Sequence, residues 1–251
     1  MNKIKISAVS YLNSKPFIYG LQHSELLNEI DLSLDIPSDC AQKLITKKVD
    51  VGLIPVSAIT QLNEHYIISD YCIGAQGKVA SVMLYSAVPL NEIKNILLDY
   101  QSLTSVTLVK VLAKNFWKIH PEWTSTAASF ENLIGGTTAA VIIGDRTFDL
   151  ENKYKYSYDL ADEWQKFTQL PFVFACWVAN KKLPDSFIKT FNMALKQGLD
   201  NRSELIRELK IRNQYSTDID LYLNNTISYN YDPAKKQALE LFLNYSKKLD
   251  Q

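Results

Sequence analysis

The chain has 251 residues, 47% of them apolar, and its 27 Lys plus Arg balance 27 Asp plus Glu. That length buries a substantial core, in one large domain or two smaller ones. A formal net charge of zero excludes the basic field that draws a protein to nucleic acid, and no run reaches the roughly 18 apolar residues of a membrane span.

Short apolar strands alternate with helical segments from the start, which predicts an α/β architecture with a mostly parallel sheet. Ile4–Val9 reads as a strand and runs into the polar turn Ser10-Tyr11-Leu12-Asn13-Ser14-Lys15, with Pro16 where a helix can begin. Such a junction aims backbone N–H groups and the Asn13 amide outward, ready to hold an anion. Leu32–Ile36 is a second strand, with Ser38 as the expected N-cap of a helix from Asp39. Val49–Ile54 is a third, ahead of a helical turn that starts at Pro55 and contains Ser57.

Val79–Ser86, which includes Ser81, alternates in polarity and is expected to cross between lobes. Ile96–Leu98 is a short strand, followed by Asp99-Tyr100-Gln101-Ser102-Leu103-Thr104-Ser105 and a helix to about Trp117. Ser102, Thr104 and Ser105 set three hydroxyls beside free helix N–H groups. The pattern fits an N-cap with incidental hydroxyls as well as it fits a carboxylate site. Ala139–Ile143 is a buried strand ending in Gly144-Asp145-Arg146, at a strand end where α/β ligand sites gather. Arg146 has the chemistry to clamp a carboxylate. Asp145 suits a base, a turn cap or a partner for Arg146. Phe172–Ala179 is apolar on both faces and reads as the return crossing.

From Asp185 onward the pattern is helical only. Phe187, Phe191, Leu195 and Leu199 recur at helical spacing, and Ala238, Leu239, Leu241, Phe242 and Tyr245 form a later stripe, both read as packing faces. The expected organisation is a first lobe of residues 1–86 plus 178–251, a second of residues 87–177, and a ligand cleft between them.

Cys40, Cys72 and Cys176 show no paired or metal-type spacing and read as buried free thiols. His23, His65 and His120 are isolated on polar stretches, so no metal site is expected, and there is no nucleotide-binding Gly-rich loop. The first residues lack the continuous apolar segment of a signal peptide, which predicts a cytoplasmic protein.

Taken together the motifs carry a resemblance. Ser10 to Pro16 resembles the YLNxxP signature of the chorismate dehydratases of the futalosine route to menaquinone. Asp99 to Ser105 is similar to that family's SxTS turn, through Ser102, Thr104 and Ser105, and Ile143-Gly144-Asp145 is similar to its IGD. Asp159-Leu160, Trp164 and Thr168 to Trp177 resemble its DLGxxWxxxTGLPFVFAxW block. The similarities keep their order over residues 6–178, with Ala161 and Gln169 standing where Gly is usual.

The resemblance implies a two-lobed, type-2 periplasmic-binding-protein-like α/β fold with a central cleft and C-terminal helices. It implies a cofactor-free hydro-lyase that removes water from chorismate to give 3-(1-carboxyvinyloxy)benzoate, with the substrate assisting its own reaction. Asn13 is then the candidate catalytic residue. Ser10, Tyr11, Ser38, Ser57, Ser81, Ser102, Thr104, Ser105, Gly144, Asp145 and Arg146 form the candidate substrate-binding set. The expected partner is the small-molecule substrate, with no nucleic acid and no membrane. Two other readings share the fold. One is a 1,4-dihydroxy-6-naphthoate synthase, associated with a second-lobe histidine that Gly144–Phe148 lacks. The other is a non-catalytic binding protein for a small carboxylate.

Overall fold

The computed structural model describes residues 3–249. In chain order, β1 (Ile4–Val9), α1 (Lys15–Gln22), β2 (Ile30–Asp35), α2 (Pro37–Ile45), β3 (Val51–Pro55) and β4 (Tyr66–Ala75) come first. Next are β5 (Val82–Ser86), β6 (Asn95–Leu98), α3 (Leu103–Leu112), β7 (Glu122–Ser125), β8 (Thr138–Ile143), β9 (Tyr156–Asp159) and α4 (Leu160–Thr168). β10 (Phe172–Ala179), α5 (Asp185–Asp200), α6 (Arg202–Arg212), α7 (Ile219–Leu221), β11 (Ser228–Asn230) and α8 (Pro233–Lys247) close the chain. The elements group into two units, each formed from two stretches of chain.

The first unit, Met1–Gly74 with Val173–Asp232, is built on a six-stranded sheet in the order β11-β4-β10-β3-β1-β2. β1 runs parallel to β2 and β3, with Ile6 opposite both Leu32 and Val51, and β10 runs antiparallel to β3 with Cys176 opposite Ile54. β3 and β10 are buried along their whole length, as unbroken apolar runs at the centre of a covered sheet must be. The α5 stripe Phe187, Phe191, Leu195 and Leu199 is buried. α1 and α5 approach so closely that a Cβ on Gly198 would lie 1.9 Å from the Pro16 carbonyl oxygen, and one on Gly20 2.0 Å from that of Ala194. Only glycine fits at either position.

In the second unit, Ala75–Phe172 with Pro233–Gln251, a five-stranded sheet has the order β7-β6-β8-β5-β9. β6 is parallel to β7 and β8, and β5 is antiparallel to β8 and β9, with Leu84 opposite Val141 and Tyr158. The pairing of β5 makes residues 82–86 part of this sheet, although the expected division puts them in the first lobe. α8 also groups here. Phe242 meets Trp164 and Phe172 edge-on, with ring centroids 6.0 and 5.0 Å apart. The sequence correctly marks this stripe as a packing face but assigns it to the other lobe.

Two further expectations are corrected. The C-terminal third is not helical throughout, because β11 pairs antiparallel with β4, Ser228 opposite Gly74 and Asn230 opposite Tyr71. Three residues are too few to display alternation. Ser38 does not cap α2: the helix starts two residues earlier than expected, at Pro37, with Ile36 as N-cap, because proline's fixed φ favours the first helical turn. The three cysteines are free and buried, and burial pushes the Cys40 thiol up to about 12. All three histidines are exposed. Among the described residues no group of three or more His, Cys, Asp or Glu could hold a metal, and no helix is long and apolar enough to cross a membrane.

Candidate functional site

The topology gathers the candidate residues at one end of each sheet. In the first unit β1, β2 and β3 are parallel neighbours, so the segments that leave their carboxyl ends lie side by side. Those segments carry Ser10, Tyr11 and Asn13 after β1, Ser38 after β2 and Ser57 after β3. In the second unit the parallel neighbours β6 and β8 end at the 99–105 and 144–146 turns. Ser81, just before antiparallel β5, joins them: its carbonyl accepts a hydrogen bond from the Gly144 N–H at 2.9 Å. Both ends are the ones at which open α/β sheets bind ligands.

The turn after β1 is tied down by its own backbone. Leu12–Ser14 forms one turn of 3-10 helix and leads into α1, which has Pro16 in its first turn. Ser14 is buried, and its hydroxyl donates to the carbonyls of Val9 and Tyr11. The Ser14 N–H also donates to Tyr11, at 3.1 Å, and that of Lys15 to Leu12. The Asn13 carbonyl accepts from the Tyr229 hydroxyl at 2.9 Å. Upstream, the Ser10 N–H donates to the Asp35 carbonyl at 3.0 Å. The Asn13 side chain differs from this pattern: its Oδ1 is buried and has no hydrogen-bond partner.

At the turn after β6, Ser102 caps α3. Its Oγ accepts from the Ser105 N–H at 3.2 Å and lies 3.1 Å from the Ser105 hydroxyl. The cap reading is therefore correct for Ser102, and the three hydroxyl residues Ser102, Thr104 and Ser105 are all buried. Asp99 joins this turn to the next. One carboxylate oxygen accepts from the Gln101 N–H at 3.0 Å, and the other from the Ile143 N–H at 3.0 Å and Arg146 Nη2 at 2.5 Å. Burial pushes the Asp99 carboxyl above its ordinary value, opposed by Arg146 and those N–H groups. Arg146 also donates through Nη1 to Glu131 at 2.6 Å, and its guanidinium lies over the rings of Tyr100 and Phe130. The clamp expected of Arg146 thus grips two carboxylates of its own chain.

Gly144 holds φ +71, a left-handed conformation that explains a glycine after β8. Asp145 is half-buried in the first turn of the 3-10 helix Gly144–Leu150. Neither Asp99 nor Glu131 stood out from the sequence as a site residue, and Tyr229 lies where only helix was expected. The adjacency of Asp99 to Ile143-Gly144-Asp145-Arg146 has one available signal, since both turns follow neighbouring parallel strands of one sheet.

The longest motif turns out to be scaffold. Asp159 accepts four backbone N–H bonds, from Ala161, Asp162, Val79 and Ala80 at 3.0, 3.2, 2.8 and 2.7 Å. Trp164 is fully buried and donates through Nε1 to the Pro171 carbonyl at 3.1 Å. Gln169, where Gly is usual, ends α4 in a left-handed conformation with φ +61.

A family model described as menaquinone biosynthesis matches residues 4–248. The chorismate dehydratase of Campylobacter jejuni strain 81-176 is 25% identical over 252 residues, covering 96% of this chain and 97% of that protein. Among solved structures, a protein of Archaeoglobus fulgidus has a TM-score of 0.75 at 15% identity, over 98% of this chain and 97% of its own. A Candida albicans protein described as having the generic periplasmic binding protein fold has a TM-score of 0.65 at 13% identity, over 100% of this chain and 90% of its own. Likeness at such identities speaks for the fold, and the fold is the periplasmic-binding-protein-like α/β architecture expected from the motifs.

Proposed function

The chain belongs to the menaquinone biosynthesis family, and from that premise we propose that it is a chorismate dehydratase forming 3-(1-carboxyvinyloxy)benzoate. The observation that carries the reading is Asn13 Oδ1, buried without a partner in a turn whose backbone is otherwise tied down. Buried polar atoms are nearly always paired, and an unpaired one at a strand's carboxyl end is what a waiting substrate group would complete. The relative named for this activity, similar over nearly its whole length, supports the same reading.

Removal of the C3 proton of chorismate sends charge through the ring diene towards the C1 carboxylate. Departure of the C4 hydroxyl then completes the aromatic ring. The proton from C3 passes to the substrate's own enolpyruvyl carboxylate, which returns it to the departing hydroxyl, so that the two leave together as water. The reaction needs no oxidant, and aromatisation drives it. The protein's task is orientation and fixed hydrogen bonding, which lower a barrier without a separate base. Asn13 orients the substrate and bonds the departing hydroxyl. Ser102, Thr104 and Ser105, with the N–H groups that open α3, are the donors assigned to a carboxylate. Ser10, Tyr11, Ser38, Ser57, Ser81 and Gly144 line the binding positions. We assign Arg146 to the scaffold, because Asp99 and Glu131 already engage it.

The test is direct. Purified protein incubated with chorismate in metal-free buffer should yield a species lighter by one water with its enolpyruvyl group retained, seen by chromatography and mass. Unchanged chorismate beside a working control enzyme would defeat the reading in favour of a carboxylate-binding protein. Asp145→Asn should keep turnover if the substrate supplies the base; a collapse with binding intact would give that role to Asp145.

A further inference from the structure

The Asn13 carbonyl is held by a side chain from far along the chain. Tyr11 is bound by the Ser14 N–H and hydroxyl, and Leu12 by the Lys15 N–H, all within the turn. Asn13 is bound by Tyr229, 216 residues away, through a 2.9 Å hydrogen bond.

Tyr229 is itself fixed on three sides. It sits in the middle of β11, which pairs with β4. Its ring packs edge-on against Phe17 of α1, with centroids 5.3 Å apart and planes at 78°. The Arg202 guanidinium lies over the ring at 5.7 Å and is itself held by Asn224 Oδ1, 2.7 Å from Nε. Buried at 6% exposure, the phenol keeps its proton, since burial raises its pKa well above the ordinary 10.0. It is a permanent donor with one orientation.

We infer that Tyr229 is a positioning residue for Asn13: its hydroxyl fixes the peptide unit between Asn13 and Ser14, and so fixes where the unpartnered side-chain oxygen points. Without that bond the peptide plane is held only at its other edge, by the Ser14 N–H on the Tyr11 carbonyl, and tilts about that anchor, taking the Asn13 Cα–Cβ direction with it. A displacement of the order of 1 Å in a group that must meet a departing hydroxyl costs rate rather than affinity. The inference rests on the dehydratase reading, in which Asn13 contacts substrate.

Tyr229→Phe is the variant of choice, since it removes one oxygen and keeps the ring against Phe17 and Arg202. With chorismate as substrate, kcat per folded molecule should fall about tenfold or more while KM stays within about twofold. A purely structural tyrosine would lower the melting temperature and leave kcat of the folded enzyme unchanged, and that result overturns the inference. An independent readout uses the one Asn-Ser pair in the chain, Asn13-Ser14. Protein labelled with 13C at Asn carbonyls and 15N at Ser gives a single correlation peak. Its carbon shift should move upfield in Tyr229→Phe, as expected for a carbonyl losing a hydrogen bond; an unmoved peak overturns the inference even if kcat falls. If the wild-type protein leaves chorismate unchanged, the dehydratase reading fails. The peak then decides alone whether Tyr229 positions Asn13.

Discussion

Both units present polar turns at the carboxyl ends of parallel strands, yet they treat their polar side chains in opposite ways. In the first unit the Tyr11, Leu12 and Asn13 carbonyls are all engaged and the Asn13 amide oxygen is left without a partner. In the second, Asp99 and Arg146, the charged pair that most resembles ligand-binding equipment, bond to each other, Arg146 also to Glu131 and Asp99 also to the N–H groups of Gln101 and Ile143. A charge in a ligand-like turn is therefore weaker evidence of a site than a neutral group left incomplete. Charges are costly to bury alone, so a fold supplies them with partners.

The contrast can be broken hardest from the first unit's scaffold. Gly198→Ala puts a methyl against the Pro16 carbonyl, which neither backbone can yield. The expected loss is about 3 kcal/mol or more, and denaturant unfolding should show it, with the Asn13 turn displaced because Pro16 lies three residues beyond it. Near-wild-type stability would mean that α1 and α5 can separate freely. In the second unit Arg146→Ala strands the Asp99 carboxylate, whose side chain is fully buried. A cost of about 3 kcal/mol is expected, against almost none for Asn13→Ala, whose side chain has no partner at Oδ1 to lose. If the two variants melt alike, the proposed division between scaffold and site is wrong. The smallest effect sharpens the comparison within the second unit. Gln169→Gly relieves a left-handed residue at the end of α4 and should stabilise by up to about 1 kcal/mol without altering turnover. Thermal melting and a turnover assay together check it.

Much of this was readable in the sequence where the signal was local. β1 and β10 have the bounds their apolar runs suggested, and Ser102 caps the helix that its turn announced. The candidate turns lie at strand ends because alternation of strand and helix places them there. What could not be read was non-local. The α8 stripe says that a face is buried but not which sheet covers it. Arg146 meets Asp99 across 47 residues, and Tyr229 reaches Asn13 from an edge strand too short to show a period. The long DLG-like block carries the resemblance, and its polar members serve a helix cap and a turn.

The most direct test of the account is the turnover of chorismate by Asn13→Ala, measured per folded molecule beside the wild type. Dehydration should fall by a factor of about a hundred or more while the melting temperature stays within a degree or so. Wild-type turnover by that variant would contradict this, because the unpartnered Asn13 Oδ1 would then have no part in the chemistry.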